Sequence, residues 1–199
     1  TQFKEPEPPV VTHLEFRLKG DWAPMGLVFG VWVVLGQQYH LGQDIQRNPE
    51  TPVYPIAKGI VKFAEYRPDL GIGYGVIIEH NLKGQFLCAV YYHMREPTDK
   101  ERLKVGQEVS PEKPIGYISG KPEDHDKTTP HLHFGMRKGK YIAKIDERTK
   151  CWYYAGYTTI YPSLEAKAKR QVENNPQNPI HAEILKEWVK PSDFIRANM

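Results

Sequence analysis

The chain has 199 residues, of which 40% are hydrophobic, 26% are charged and 12% are aromatic. This composition is typical of one globular domain, or one domain with a sizeable insertion, and excludes a disordered or fibrous chain. The formal net charge of +3 is too small to indicate nucleic-acid binding. The longest apolar stretch, residues 26–36, is too short to span a bilayer. Two cysteines are too few for a disulfide framework or a thiolate zinc finger.

The N-terminal residues predict a tail that leads into a strand. Residues 1–9 are polar and rich in proline, which is typical of a tail or linker. Leu14, Phe16 and Leu18 then alternate with polar residues, and this period of two predicts a half-buried strand. His13 falls on the polar side of that strand, so we expect it to be solvated.

Between Val53 and Ile118 the sequence consists of short apolar runs separated by turn signals. Each run has the length of a strand and is rich in β-branched and aromatic residues. A hairpin turn is predicted at residues 81–84. The spacing favours antiparallel strands packed as a sandwich or barrel over alternating strands and helices. Cys88 and Tyr91 lie in one of these runs, and both are interpreted as core residues.

The C-terminal part of the chain predicts helices instead. Residues 163–174 have a weak helical pattern, and a tyrosine-rich segment precedes them. Ile180, Ile184 and Trp188 recur every fourth residue, which predicts an amphipathic helix of about three turns that ends at Pro191.

His131 and His133 are separated by one residue in a β context. Residues i and i+2 of a strand lie on the same face, so both imidazoles are expected to point the same way. They could be two metal ligands, or one ligand and its neighbour, or two polar residues on a solvated face. The residues alone leave these alternatives open.

His40 and Asp44 could belong to one metal site if the chain bends between them. Four residues of a straight strand span about 13 Å, which is too far for two ligands of one ion. Gly42 lies between them and allows a bend. With one more imidazole they would form a three-ligand set that leaves a zinc position open for water. The alternative is a turn with an exposed histidine and aspartate. His93, at the end of an apolar strand, would alone be interpreted as a core residue.

Taken in order, the motifs HLGQD at 40–44, YYH at 91–93 and HLHF at 131–134 resemble the lysostaphin-type (LytM-factor) zinc metallopeptidases. Further segments resemble the same family, namely residues 53–61, 73–80, 105–118 and 188–195. Together the matching segments cover most of residues 26–137 and 188–195.

The resemblance implies that His40, Asp44 and His133 bind one Zn²⁺ per chain, and that His93 and His131 are catalytic histidines that do not bind it. The implied fold is an all-β core, an antiparallel two-sheet barrel-sandwich called the duplicated hybrid motif, here with a C-terminal α-helical insertion. The implied activity is hydrolysis of the peptide cross-links of bacterial peptidoglycan by a metal-activated water. We therefore expect an extracytoplasmic protein that is periplasmic, cell-wall associated or secreted, without a nucleic-acid partner or a transmembrane segment.

The resemblance also divides the chain and identifies its departures from the family. Residues 10–137 and 188–199 would form the β domain after the tail of residues 1–9. Residues 138–187 would be an insertion where the family has a short turn, and we expect it to line the substrate groove. Gly135 replaces the usual glutamate, and Tyr92 replaces a usual small residue; neither removes an expected ligand.

Two other functions are possible for such a sequence. A non-catalytic scaffold of the same fold could bind peptidoglycan or activate another hydrolase, but it would be expected to lose ligands. A lipoyl-type carrier domain would need a lysine at a hairpin tip between small residues or methionines, and the sequence lacks that pattern. The remaining histidines are interpreted as structural (His80), as solvated in a loop (His125) and as polar-face helix residues (His181). The cluster Trp152–Tyr154 is a candidate for the groove.

Overall fold

The computed structural model describes residues 6–17, 29–33, 38–125, 128–142 and 185–199. The predicted helix over 163–174, the Trp152–Tyr154 cluster, Leu18 and His181 lie outside these residues, so those predictions stay untested. Within the described residues, no helix has the length and apolar character needed to cross a bilayer.

The described elements are mostly short or medium-length strands. They are β1 (Val10–Val11), β2 (Trp32–Val33), β3 (Gln38–Tyr39), β4 (Gln43–Gln46), β5 (Pro52–Val53), β6 (Gly59–Arg67), β7 (Gly73–Leu82), β8 (Gln85–Met94), β9 (Glu108–Val109), β10 (Gly116–Tyr117), β11 (His131–Lys138) and β12 (Trp188–Val189). Helical turns of the 3₁₀ type cover Pro68–Leu70 and Pro122–His125, and the short helix α1 covers Pro191–Arg196.

The main sheet has the strand order β12-β11-β8-β7-β6-β9, with β4 also paired to β11 and β1 to β7. Two small sheets pair β5 with β10 and β2 with β3. Every pairing is antiparallel except that of β1 with β7. The predicted fold class, an all-β antiparallel barrel-sandwich, is confirmed, and the described helical part of the C-terminal region is a minor addition.

The two long central strands β7 and β8 are buried on both faces of the sheet. Alternate side chains of a strand point to opposite faces, so Val76 and Ile78 join the larger apolar cluster while Ile77 joins the smaller one. Cys88 is buried in the smaller cluster and Tyr91 in the larger, as predicted for core residues. Burial on both faces explains why these segments are continuous apolar runs rather than alternating ones.

The hairpin predicted at residues 81–84 is confirmed. β7 ends at Leu82 and β8 begins at Gln85, so Lys83 and Gly84 form a two-residue turn. Both have a positive φ, 52° and 88° respectively, as the turn that matches the twist of an antiparallel pair requires.

The predicted helix ending at Pro191 is wrong in its last residues. Residues 185–187 are helical, but Trp188 begins β12, which pairs with β11 opposite Met136 and Arg137. Pro191 begins α1 instead of closing a helix, because proline is tolerated in the first turn. The periodicity was misleading because Trp188 is buried against the sheet and not on a helix face.

The predicted N-terminal strand is also wrong in position. The strand is Val10–Val11, whereas Leu14 and Phe16 follow it in a segment that belongs to no strand. Leu14 is nevertheless buried, and the ring of Phe16 lies 5.5 Å from that of Phe134. The alternation therefore predicted which side chains face the core but not the backbone pairing. His13 is exposed, as predicted.

His80 is a buried histidine of β7 that supports the fold. Its side chain is 0% exposed, and Nδ1 donates a hydrogen bond to the carbonyl oxygen of Lys58 at 2.9 Å. Burial lowers the pKa of His80 to about 4. In the unfolded chain the group would gain its proton near pH 6.5. The contribution of the neutral His80 imidazole to the free energy of unfolding is therefore fully present above about pH 6.5, and it is lost as the pH falls toward 4.

We expect His80→Asn to reduce this loss of stability in acid. Asparagine does not titrate, and its amide can still donate to Lys58. Between pH 7 and pH 4 the free energy of unfolding of the unaltered protein should fall by about 3 kcal/mol more than that of the variant. Urea unfolding at several pH values measures this difference, and parallel pH dependences for the two proteins would contradict the prediction.

Candidate metal centre

The pairing of β4 with β11 brings two of the predicted ligands together. In this antiparallel pair Asp44 lies directly opposite His133. His40 precedes β4 by three residues, and its backbone is held by hydrogen bonds to Gly30 and Val31. His131 and His133 lie on the face of β11 opposite to Leu132 and Phe134, which enter the larger apolar cluster. The predicted common orientation of the two imidazoles is therefore confirmed.

Three ligand atoms from His40, Asp44 and His133 converge on one point. His40 Nε2 lies 3.1 Å from Asp44 Oδ1 and 2.9 Å from His133 Nδ1, and His133 Nδ1 lies 3.2 Å from Asp44 Oδ1. Ligands bound to a tetrahedral zinc at 2.0–2.1 Å are about 3.3 Å from one another. The triangle is thus close to the size that such a site requires. Among the described residues, this is the one group of three or more histidine, cysteine or acidic side chains so arranged.

Hydrogen bonding alone accounts poorly for this triangle. A carboxylate oxygen only accepts, so both imidazole nitrogens would need protons to bond with Asp44. Two N–H groups would then face each other across the 2.9 Å between His40 and His133. A cation among the three atoms removes this conflict, because all three can then present lone pairs. The donor set therefore fits a divalent metal ion.

The charge states of the site also suit a metal ion. Burial by itself would raise the pKa of Asp44, but the contacts with His133 and His40 outweigh it and hold that pKa far below its usual value. Burial lowers the pKa of His133. The site therefore holds a carboxylate and a neutral imidazole near neutral pH, which are the forms that bind metals.

Gly42 is required by close packing rather than by an unusual φ. The chain bends at this residue, as predicted, but its φ lies outside the left-handed region. A Cβ atom at this position would lie 2.7 Å from His133 Nε2 and 2.7 Å from the carbonyl oxygen of Phe134. The absence of a side chain at Gly42 therefore leaves room for the imidazole of His133.

His93 and His131 lie next to the triangle. Their ring centroids are 4.5 Å apart, and His131 Nε2 is 3.7 Å from Asp44 Oδ1. His93 has a φ of 71°, in the left-handed region that costs a non-glycine residue energy. Burial, and then the neighbouring His131, lower the pKa of His93 well below its usual value. A strained residue with a titratable side chain is a common feature of functional sites.

Two of the three departures from the resembled family, Tyr92 and Gly135, have structural explanations. The ring of Tyr92 stacks on the imidazole of His133, with centroids 5.8 Å apart and planes inclined by 17°. Gly75 leaves room for this ring, because a Cβ there would lie 3.0 Å from it. At Gly135, a Cβ would lie 2.7 Å from the carbonyl oxygen of Leu41 and 3.0 Å from the ring of Trp188, so a glutamate would not fit.

The structure thus brings together all five predicted site residues, four histidines and one aspartate, and it adds a fifth histidine. The interpretation of His125 as a solvated loop residue is wrong, because its side chain is 2% exposed. Its ring centroid lies 6.1 Å from that of His131. The acidic sequence around His125 indicated a solvated loop, whereas its approach to His131 depends on the path of the chain after β10.

Comparisons with known proteins identify the family. The model of peptidase family M23 matches residues 38–146, which is more than half of the chain. A search of curated proteins found no significant match. The chain is similar to the catalytic domain of the antimicrobial peptidase lysostaphin from Staphylococcus simulans, with 27% identity over 59% of this chain and 81% of that chain and a TM-score of 0.46.

Two other solved structures are similar. One is the antimicrobial peptidase lysostaphin from the same organism, with 18% identity, 86% of this chain covered and a TM-score of 0.52, and this chain spans about half (49%) of its length. The other is the catalytic domain of the prophage-encoded M23 protein EnpA from Enterococcus faecalis, with 25% identity over 58% of this chain and 80% of that chain and a TM-score of 0.44. The likeness to the longer lysostaphin structure concerns the fold. On the strength of the family match, the chain belongs to peptidase family M23.

Proposed function

We propose that this protein is a zinc-dependent endopeptidase that hydrolyses peptide cross-links of bacterial peptidoglycan outside the cytoplasm. The observation that carries the proposal is the convergence of His40, Asp44 and His133, whose ligand atoms lie 2.9–3.2 Å apart. Family membership supports a peptidase, and the resemblance to lysostaphin-type enzymes supplies the substrate class. A scaffold without catalysis is disfavoured, because it would be expected to lose ligands, whereas this chain keeps all five residues that the resemblance assigns to the site.

In this proposal the imidazoles of His40 and His133 and the carboxylate of Asp44 would hold the ion, and three protein ligands are the usual number at a catalytic zinc site. Zinc in such a site supplies Lewis acidity, which polarises an amide carbonyl and lowers the pKa of water toward 7. The stacking of Tyr92 on His133 and the absence of a side chain at Gly42 fix the plane of one ligand imidazole.

His93 and His131 perform the proton transfers in this proposal. A water molecule attacks the scissile carbonyl carbon, and one of these imidazoles takes its proton. A proton is then returned to the leaving amine nitrogen as the C–N bond breaks. The position of both side chains beside the triangle supports this role: His131 Nε2 lies 3.7 Å from Asp44 Oδ1, and the rings of His93 and His131 are 4.5 Å apart.

Digestion of purified peptidoglycan, with and without a chelator, tests the proposed function. We expect the zinc-loaded protein to release fragments with new amino and carboxyl termini in their peptides, as identified by mass spectrometry. A chelator should stop the release, and added zinc should restore it. A folded protein with one bound zinc that cleaves no peptide bond in peptidoglycan would contradict the proposal and favour the scaffold.

Two alanine variants separate the ligand role from the acid–base role. His133→Ala should remove both zinc and activity. His131→Ala should retain about one zinc per chain while the cleavage rate falls by a factor of about 10²–10⁴, the usual contribution of a general acid or base. Zinc content by elemental analysis, together with the cleavage rate of each variant, distinguishes the ligand role from the acid–base role. If His131→Ala lost its zinc while remaining folded, the ligand assignment would be wrong.

Gly42→Ala should weaken zinc binding without removing any ligand. The new methyl group would displace the imidazole of His133, because only 2.7 Å separates it from Nε2. We expect the zinc affinity, measured by competition with a chromogenic chelator, to fall about tenfold or more. Gly120→Ala is the matched control, because a Cβ there would meet only the ring of Pro49 at 3.1–3.2 Å. Equal affinities for the two variants would contradict the prediction.

A further inference from the structure

Both candidate acid–base imidazoles are held by backbone carbonyls of one short segment after β10. His93 Nδ1 lies 2.8 Å from the carbonyl oxygen of Asp124, and His131 Nδ1 lies 2.7 Å from that of Thr129. A carbonyl oxygen only accepts hydrogen bonds, so Nδ1 must carry the proton in both rings. Each neutral imidazole then has its lone pair on Nε2. The segment thus determines the tautomer of both rings.

The carboxylate of Asp124 holds this segment in place. Its side chain is 0% exposed, and it accepts hydrogen bonds from the hydroxyl groups of Ser119 and Tyr66, the latter at 2.9 Å. The next residue, His125, accepts bonds at its carbonyl oxygen from both the backbone N–H and the hydroxyl group of Thr128, at 3.0 and 2.6 Å. These bonds connect the turn at Asp124 with the carbonyl that holds His131.

Stability alone gives no reason for a buried carboxylate at this position. In the described part of the chain, no lysine, arginine or histidine forms an ion pair with Asp124. A buried carboxylate without a cation carries a large desolvation cost, and apolar residues of similar volume usually serve a core better. Burial, and then the contact with Asp124, raise the pKa of Tyr66, so its hydroxyl group stays protonated and donating.

We propose that Asp124 is a positioning residue for proton transfer. Its carboxylate fixes the turn, and the turn holds His93 and His131 in the same Nδ1–H tautomer, with both Nε2 atoms available to the reaction. The same turn meets the strained backbone of His93, whose φ is 71°, and the hydrogen bond of 2.8 Å to the carbonyl oxygen of Asp124 fixes the ring at that position. The inference rests on the acid–base roles proposed above for these two histidines.

Nitrogen NMR of the zinc-loaded protein, labelled with ¹⁵N-histidine, tests the proposal. Long-range ¹H–¹⁵N spectra report which ring nitrogen carries the proton, and His93→Gln and His131→Gln assign the signals. We expect both rings to be Nδ1–H tautomers in the unaltered protein. In Asp124→Ala, the nitrogen shifts of His93 should move toward a mixture of tautomers. The kcat value of this variant should fall about tenfold or more, while its zinc content and KM stay unchanged. The conservative variant Asp124→Asn should recover part of the lost kcat.

Glu123→Ala is the matched control, because it removes an exposed carboxylate from the same turn. Unchanged tautomers and kcat in a folded Asp124→Ala protein would overturn the proposal. If that variant does not fold, Ser119→Ala and Tyr66→Phe each remove one donor to the carboxylate. Both variants should then move the ring nitrogen shifts of His93 toward a mixture of tautomers. Unchanged nitrogen shifts in both variants would overturn the proposal. If the unaltered protein cleaved no peptidoglycan, the proposed function would fail, while the NMR comparison would still decide whether Asp124 sets the tautomers.

Discussion

The antiparallel pairing of β4 with β11 is the constraint on which the site depends. It places Asp44 directly opposite His133, two residues that are far apart in the chain. A shift of this register by one residue would turn every side chain of β4 to the other face and separate the two ligands. The C-terminal residues support this region: β12 pairs with β11 beyond the end of β4, and the backbone N–H of Ser192 donates to the side chain of Gln43 at 2.8 Å. Arg137 also bonds to Glu187 at 2.7 Å. Residues 187–192 thus help to hold β4 and β11, the two strands that carry Asp44 and His133.

Much of the fold and the identity of the candidate site residues could be predicted from the sequence. The apolar runs of β7 and β8 are long enough to show strand length and composition, and the separation of His131 and His133 by one residue determines their common face. The order of the His40, His93 and His131 motifs then indicated the family. The division of the chain at residues 138–187 and the roles of the five site residues remain predictions. The position of Trp188 could not be predicted, because its spacing from Ile184 is the same as on a helix whereas its partner, Arg137, is distant in sequence.

The surroundings of the site were harder to predict than its residues. The bend at Gly42 was predicted correctly, but its physical reason, the imidazole of His133 at 2.7 Å from a Cβ, is a tertiary contact. The burial of His125 and Asp124 also depends on packing, since an acidic loop rich in charged residues normally faces water. The positive φ of His93 has no signal in the sequence. These features are tied together in space, because the strained backbone of His93 and the turn at Asp124 meet at one hydrogen bond of 2.8 Å.

The central claim is that His40, Asp44 and His133 bind one divalent ion and leave part of its coordination open. Anomalous diffraction at the zinc edge, from crystals of the metal-loaded protein, tests this claim most directly. The account predicts one strong anomalous peak per chain, about 2.0–2.2 Å from His40 Nε2, His133 Nδ1 and an Asp44 carboxylate oxygen. A peak ligated by His93 or His131 in place of one of these side chains, or fully loaded crystals with no peak among them, would contradict it.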